Sequence, residues 1–199
     1  MTKVLSKWYI HISLLLVATI TFCVSVNIKT APKEDERVSF FVGAIDTKQD
    51  DLEAKLDSKC DEDILAIYYH FHNIYASNFT FIYSSFRENC DFFILPLNYV
   101  NDYKGATINY SANLDIEYLN DYFDTKLEYC LYDGVAKGFK VYDHVKDEGI
   151  LKDYITYLND DYKSDYYLFF QFKSINIGEM NSVSKTNNAL KVIKELMEL

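Results

Sequence analysis

Glycine and proline are scarce in this chain, with 6 Gly and 2 Pro among 199 residues. That scarcity excludes collagen-like repeats and the Pro- or Gly-rich composition of disordered linkers. No two cysteines stand in a Cys-x-x-Cys pair. A dithiol oxidoreductase needs a low-pKa attacking thiolate beside a resolving one, so disulfide exchange is not expected. There is no Gly-rich phosphate loop and no nucleophile in a strand-turn-helix elbow, which leaves His144 and scattered Asp and Ser residues as the only material for hydrolysis. The expectation is a chain with no catalytic residues, no cofactor and no metal site. Basic residues are outnumbered, 20 Lys+Arg against 30 Asp+Glu, and form no stripe, which argues against nucleic-acid binding.

What the sequence holds in quantity is aromatic. It carries 18 Tyr and 14 Phe within a 49% hydrophobic composition, enough to build a core for one domain, or one and part of another. The acidic pairs and triplet, Asp50-Asp51, Asp61-Glu62-Asp63 and Asp160-Asp161, lack the alternating loop with a central Gly that holds calcium tightly, and read as solvated surface. His70 and His72, two residues apart, could share a metal only from a strand, and no third ligand stands at the right spacing.

Only one run is long and apolar. Lys3 and Lys7 precede Trp8 through Val26, which ends at Asn27-Ile28-Lys29. A basic start, an apolar centre and small residues before the polar switch describe a secretory signal peptide over residues 1–25, with Cys23 and Ser25 at the −3 and −1 positions of the cut. An uncleaved anchor is the alternative, since the run approaches the roughly 20 residues that span a bilayer. Either way the remainder enters the secretory pathway, and any membrane contact is through this segment. Removing residues 1–25 leaves 18 basic and 30 acidic residues, a net charge of −12. In an oxidising compartment two of Cys60, Cys90 and Cys130 could pair, in any of three ways. Asn78-Phe79-Thr80 and Asn109-Tyr110-Ser111 are N-glycosylation sequons.

Residues 26–37 read as a polar leader. Val38–Ile45 is a buried-strand pattern, followed by a capping box at Asp50 and Glu53. Leu52, Leu56, Cys60, Ile64, Ile67, Phe71 and Ile74 then predict one long helix, or two broken near Asp61. Alternation predicts strands over 79–86, 90–100 and 106–111, with a turn at 101–105. A helix from Asn113 or Asp115, two strands about a turn at Asp133-Gly134, a helix through Leu151, Tyr154, Ile155 and Leu158, a buried strand over 166–172 and a final helix over 186–199 complete the order.

Strand, helix, strand, then a hairpin and a helix is the order of a thioredoxin-like domain. Residues 37–130 resemble the non-catalytic b domain of protein disulfide isomerases. Val38-Ser39-Phe40-Phe41-Val42-Gly43 is similar to that family's first clear strand. Phe92-Phe93-Ile94-Leu95, Ala106 through Tyr110 and Leu114 through Phe123 are similar to its closing hairpin and last helix. The resemblance implies an α/β fold, a thioredoxin-like mixed sheet with flanking helices over 38–130. Residues 131–199 then form a C-terminal α/β segment, the opening of a second copy cut short. It also implies a binding or chaperone-like role toward protein or peptide clients in the endoplasmic reticulum lumen, or after secretion, since the chain ends in Leu196-Met197-Glu198-Leu199 and carries no retention signal. The alternative is a secreted or surface-tethered protein that binds a host or partner molecule on an unrelated α+β fold.

Overall fold

The computed structural model describes residues 2–44, 48–58, 63–155, 157 and 160–198. It divides into two compact units, Met1–Lys33 and Glu34–Leu199. The first is a single helix, α1 (Thr2–Thr30), whose side chains from Trp8 to Cys23 are all exposed. Among the described residues no helix is long and apolar enough to cross a membrane. The helix runs through the expected cut after Ser25 and into the expected leader, because nothing between Trp8 and Thr30 is a Gly or Pro that would stop it.

The second unit is an α/β domain built on one mixed sheet. Its strands are β1 (Arg37–Ala44), β2 (Ala66–Asn73), β3 (Phe92–Pro96), β4 (Tyr129–Tyr132), β5 (Val135–Asp143), β6 (Glu148–Gly149) and β7 (Tyr166–Phe170). The order is β2-β1-β3-β7-β5-β4, with β6 pairing β5. β1 runs parallel to both β2 and β3, and every pairing from β3 onward is antiparallel. The helices are α2 (Gln49–Asp57), α3 (Phe79–Phe86), α4 (Leu97–Asp102), α5 (Lys104–Ile108), α6 (Ile116–Phe123) and α7 (Asn188–Met197).

Strand alternation sorts the core into two layers. Val38, Phe40 and Val42 of β1, Phe92 and Ile94 of β3, and Tyr166, Leu168 and Phe170 of β7 point to one side, where α2, α6 and α7 supply Leu52, Leu56, Leu119, Phe123, Leu190 and Ile193. Phe41, Phe93, Leu95, Tyr167 and Phe169 point to the other, beneath Phe79 and Tyr83 of α3 and Tyr99 and Val100 of α4. Gly43 permits α3 to lie close. A Cβ there would stand 2.8 Å from Leu95 and 2.9 Å from both Ile74 and Phe79. Asp115 caps α6 by accepting from the Tyr118 amide at 3.1 Å. Asp133 and Gly134, at φ 51° and 78°, make the two-residue β4–β5 turn in the left-handed conformation that suits hairpin twist.

The α/β class and the mixed sheet with flanking helices are those the resemblance implies. Several element assignments are corrected. Residues 79–86 are helix α3: Phe79, Ile82, Tyr83 and Phe86 face the core at helical spacing, while Phe81 is exposed. The hydroxyls of Ser84 and Ser85 bond back to the Thr80 and Phe81 carbonyls, so the polar members of the apparent alternation are satisfied within a helix. The parallel neighbour of β1 is β2, where one long helix, or two broken near Asp61, was expected. α2 ends at Asp57, and Ile67, Tyr69 and Phe71 alternate onto the core. Asp50 lies in the first turn of α2 instead of capping it. Pro96 ends β3 and opens α4, which truncates the expected strand 90–100. The 101–105 turn and 106–111 strand are replaced by the end of α4, α5 and an isolated bridge from Ser111 to Gln171. Residues 150–154 are turn, and Leu158 lies outside the described residues. The expected boundary at 130/131 falls inside the β4–β5 hairpin, and β5 and β7 continue the sheet that β1–β3 begin, so residues 131–199 complete one domain instead of opening a second.

Candidate functional site

β2 closes one end of the sheet. Among the described residues its only strand partner is β1, across eight registered pairs from Arg37–Ala66 to Ala44–Asn73. Long edges are usually blunted by Lys, Pro, inward charge or a bulge. The strand Ala66-Ile67-Tyr68-Tyr69-His70-Phe71-His72-Asn73 has none of these. Its inner side is anchored by aromatic edges, Tyr69 and Phe71 lying 5.3 and 6.2 Å from Phe40. The opposite side presents Tyr68, His70 and His72. Tyr68 is 42% exposed, with the Arg37 guanidinium 6.0 Å from its ring centroid. The His70 and His72 rings pack 4.2 and 5.5 Å from Phe86, and His72 stacks on Phe41 at 5.4 Å.

Burial pushes both imidazoles below their ordinary value, and His72 adds to the effect on His70. At neutral pH the strand is therefore uncharged. A histidine whose folded pKa is depressed binds its proton more readily unfolded, so its stabilisation is present above the unfolded value of about 6.5 and is lost as pH falls through the folded value. The urea midpoint should fall between pH 7.5 and 5.5, and the fall should be smaller in a His70→Gln/His72→Gln variant. Equal slopes in the two proteins would show that these histidines do not carry the dependence. Asp91 is common to both proteins, so its titration does not affect the comparison.

A second polar cluster ties the start of β1 to the loop before α7. Asp91 is buried beside Cys90, and its Oδ2 accepts from the Ser39 amide at 2.8 Å. Its Oδ1 accepts from Ser174 Oγ at 2.6 Å and Asn176 Nδ2 at 2.9 Å. Asn176 also donates to the carbonyls of Glu34 and Arg37. Burial raises the Asp91 pKa while the three donors oppose it. The neighbouring cleft, about 160 Å³, is lined by Arg37, Glu88, Asp91 and Lys173 among others. Every strong acceptor on Asp91 is engaged by the protein itself, which marks the cluster as a brace.

A third cluster lies where β5 ends and β7 begins. Lys140 Nζ contacts Glu128 at 2.8 Å, Asp165 at 3.0 Å and Asp143 at 3.4 Å. Burial works to lower the Lys140 pKa, but the bonds to Glu128 and Asp165 hold it above its ordinary value. Asp165 also takes His144 Nδ1 at 2.7 Å and the His144 amide at 3.0 Å. A His–Asp pair becomes a general base when a nucleophile stands at the other ring nitrogen. Among the described residues no hydroxyl or thiol is hydrogen-bonded there. This pair joins residues 21 apart in sequence, and no local spacing announces it.

No known protein family, curated protein or solved structure matches this chain. Asn78 and Asn109 are both exposed, at the start of α3 and the end of α5. Cys90 and Cys130 are free thiols, and Cys60 lies outside the described residues, so neither described thiol is in a disulfide. Burial pushes the Cys90 thiol up to about 12, and it also raises the half-buried Cys130. His70 and His72 stand on a strand, side by side on one face. Among the described residues no group of three or more His, Cys, Asp or Glu could hold a metal. Of the acidic runs, Asp63 pairs with Lys191 and Asp160 with Lys163, both at 2.8 Å, and Asp61 and Glu62 lie outside the described residues. The β2 edge itself was missed in the sequence because its apolar positions continue the stripe of α2.

Proposed function

We propose that this chain is a non-catalytic binding or chaperone-like protein of the secretory pathway, of the thioredoxin-like b-domain type, that holds extended protein or peptide segments along the β2 edge. The observation that carries the reading is an eight-residue edge strand with no Pro and no residue charged at neutral pH. An extended client adds to such an edge through main-chain hydrogen bonds, which accept many sequences, while flanking aromatics supply contact area. Tyr68, exposed beside the edge, and the Phe86-backed histidines are that flank. The compartment part of the reading rests on the basic and apolar N-terminal segment and on the acid surplus of the rest, which keeps an exported chain soluble.

Titration of the full chain into fluorescently labelled unfolded peptides tests the reading. Binding at micromolar to high-micromolar concentration is expected, and Tyr68→Lys, which places a charge on the exposed side of the edge, should weaken it on the order of tenfold while leaving the urea midpoint near the wild-type value. Absence of binding at high micromolar concentration would overturn the proposal. Equal binding by Tyr68→Lys would move the site away from β2.

A further inference from the structure

Two sequons that lie 31 residues apart in sequence come to the same layer of the domain. Asn78 is the N-cap of α3 and Asn109 the C-cap of α5, and both helices cover the side of the sheet that carries Phe41, Phe93 and Phe169. We infer that the folded chain carries two N-linked oligosaccharides, at Asn78 and Asn109, both on the α3–α5 side, with the side covered by α2, α6 and α7 left bare. This rests on the secretory reading above.

Both asparagines are exposed. An N-cap Asn ordinarily spends its side-chain oxygen on a backbone amide of the first turn, yet Asn78 makes no such bond, so attaching a sugar to its nitrogen takes nothing from α3. Thr80, which completes that sequon, is exposed as well. The second sequon differs: Ser111 is buried, and its hydroxyl donates to the Thr107 carbonyl at 2.8 Å. Transfer at Asn109 must therefore precede the closing of this turn, while the finished fold still leaves the Asn109 side chain room for the glycan. A bulky solvated sugar cannot be buried in an interface. Clients must then reach β2 along its edge, beside Tyr68 and clear of the glycans.

The test is expression of the full chain in cells that glycosylate, followed by endoglycosidase digestion and electrophoresis. The wild type should collapse by two mobility steps, Asn78→Gln and Asn109→Gln by one each, and the double variant by none. Thr80→Ala should reproduce Asn78→Gln without touching the asparagine. A protease-protected lumenal or secreted chain that shows no step, or one step only, overturns the two-site assignment while leaving the compartment intact. A chain recovered unprotected in the cytosol overturns the secretory reading itself.

Discussion

Replacing Asp91 with Ala should destabilise the domain by about 3 kcal/mol, measured as the shift of the urea midpoint at pH 7 multiplied by the slope of the transition. The value follows from what is left behind. The Ser39 amide, the Ser174 hydroxyl and the Asn176 carboxamide all donate to this carboxylate from buried or half-buried positions. Unmade bonds to buried donors cost about 1–3 kcal/mol each, and the adjoining cleft admits water that offsets part of the sum. Asp91→Asn separates the bonds. An amide oxygen can keep Ser174 and Asn176, but its NH2 then faces the Ser39 N–H, so the isosteric change should cost less than Ala and fall mainly on the start of β1. If Asp91→Asn is as damaging as Asp91→Ala, the charge itself carries the brace. If both are neutral, the cluster is not one.

The other large effect belongs to Phe41. Its ring is fully buried at the centre of β1 and lies 5.5 to 6.0 Å from Phe79, Tyr83 and Phe86 of α3. Phe41→Ala removes the surface on which α3 sits and should cost about 3–5 kcal/mol, whereas Phe41→Leu, which keeps most of the volume, should cost about 1–1.5 kcal/mol. A second consequence separates this residue from an ordinary core position. His72 stacks on Phe41, and burial is what depresses its pKa. In the Leu variant the His72 titration, followed by NMR, should move up toward the unperturbed value. A Phe41→Ala protein as stable as the wild type would contradict the assignment of α3 to this layer.

How far such residues could be read from the sequence depended on whether one period or two fitted the pattern. β1, β7, α6 and α7 were legible because their apolar positions obey one period and end at clear stops: Val38–Ala44 is nearly continuous, and Ala189, Leu190, Ile193 and Leu196 fit only a helix. Phe79–Phe86 fits both a strand and a helix, since aromatics fill positions 79, 81, 83 and 86. Tertiary packing decides it, through the space above Gly43 that receives Phe79. β2 was hidden for the opposite reason, its apolar residues standing at spacings that prolong α2. The two polar clusters were illegible because their members come from distant segments: Asp91 meets Ser174 and Asn176 across more than 80 residues. The sequons needed no fold to be seen, but only the fold puts them on one layer.

The order of the strands also bears on how the domain is made. β7, the last strand in the chain, lies between β3 and β5, whose other neighbours form earlier. Until residues 166–170 emerge, the parallel half ends in an open β3 and the β4–β5 hairpin in an open β5, with nothing to join them. At about 5–20 residues per second, synthesis from the end of β5 to the end of β7 takes on the order of one to several seconds, during which both edges can pair with other chains. The last strand acts as a keystone, and cooperative closure of the sheet waits for it. Phe169, stacked on Phe93 at 5.7 Å, is among the contacts made only at that closing step.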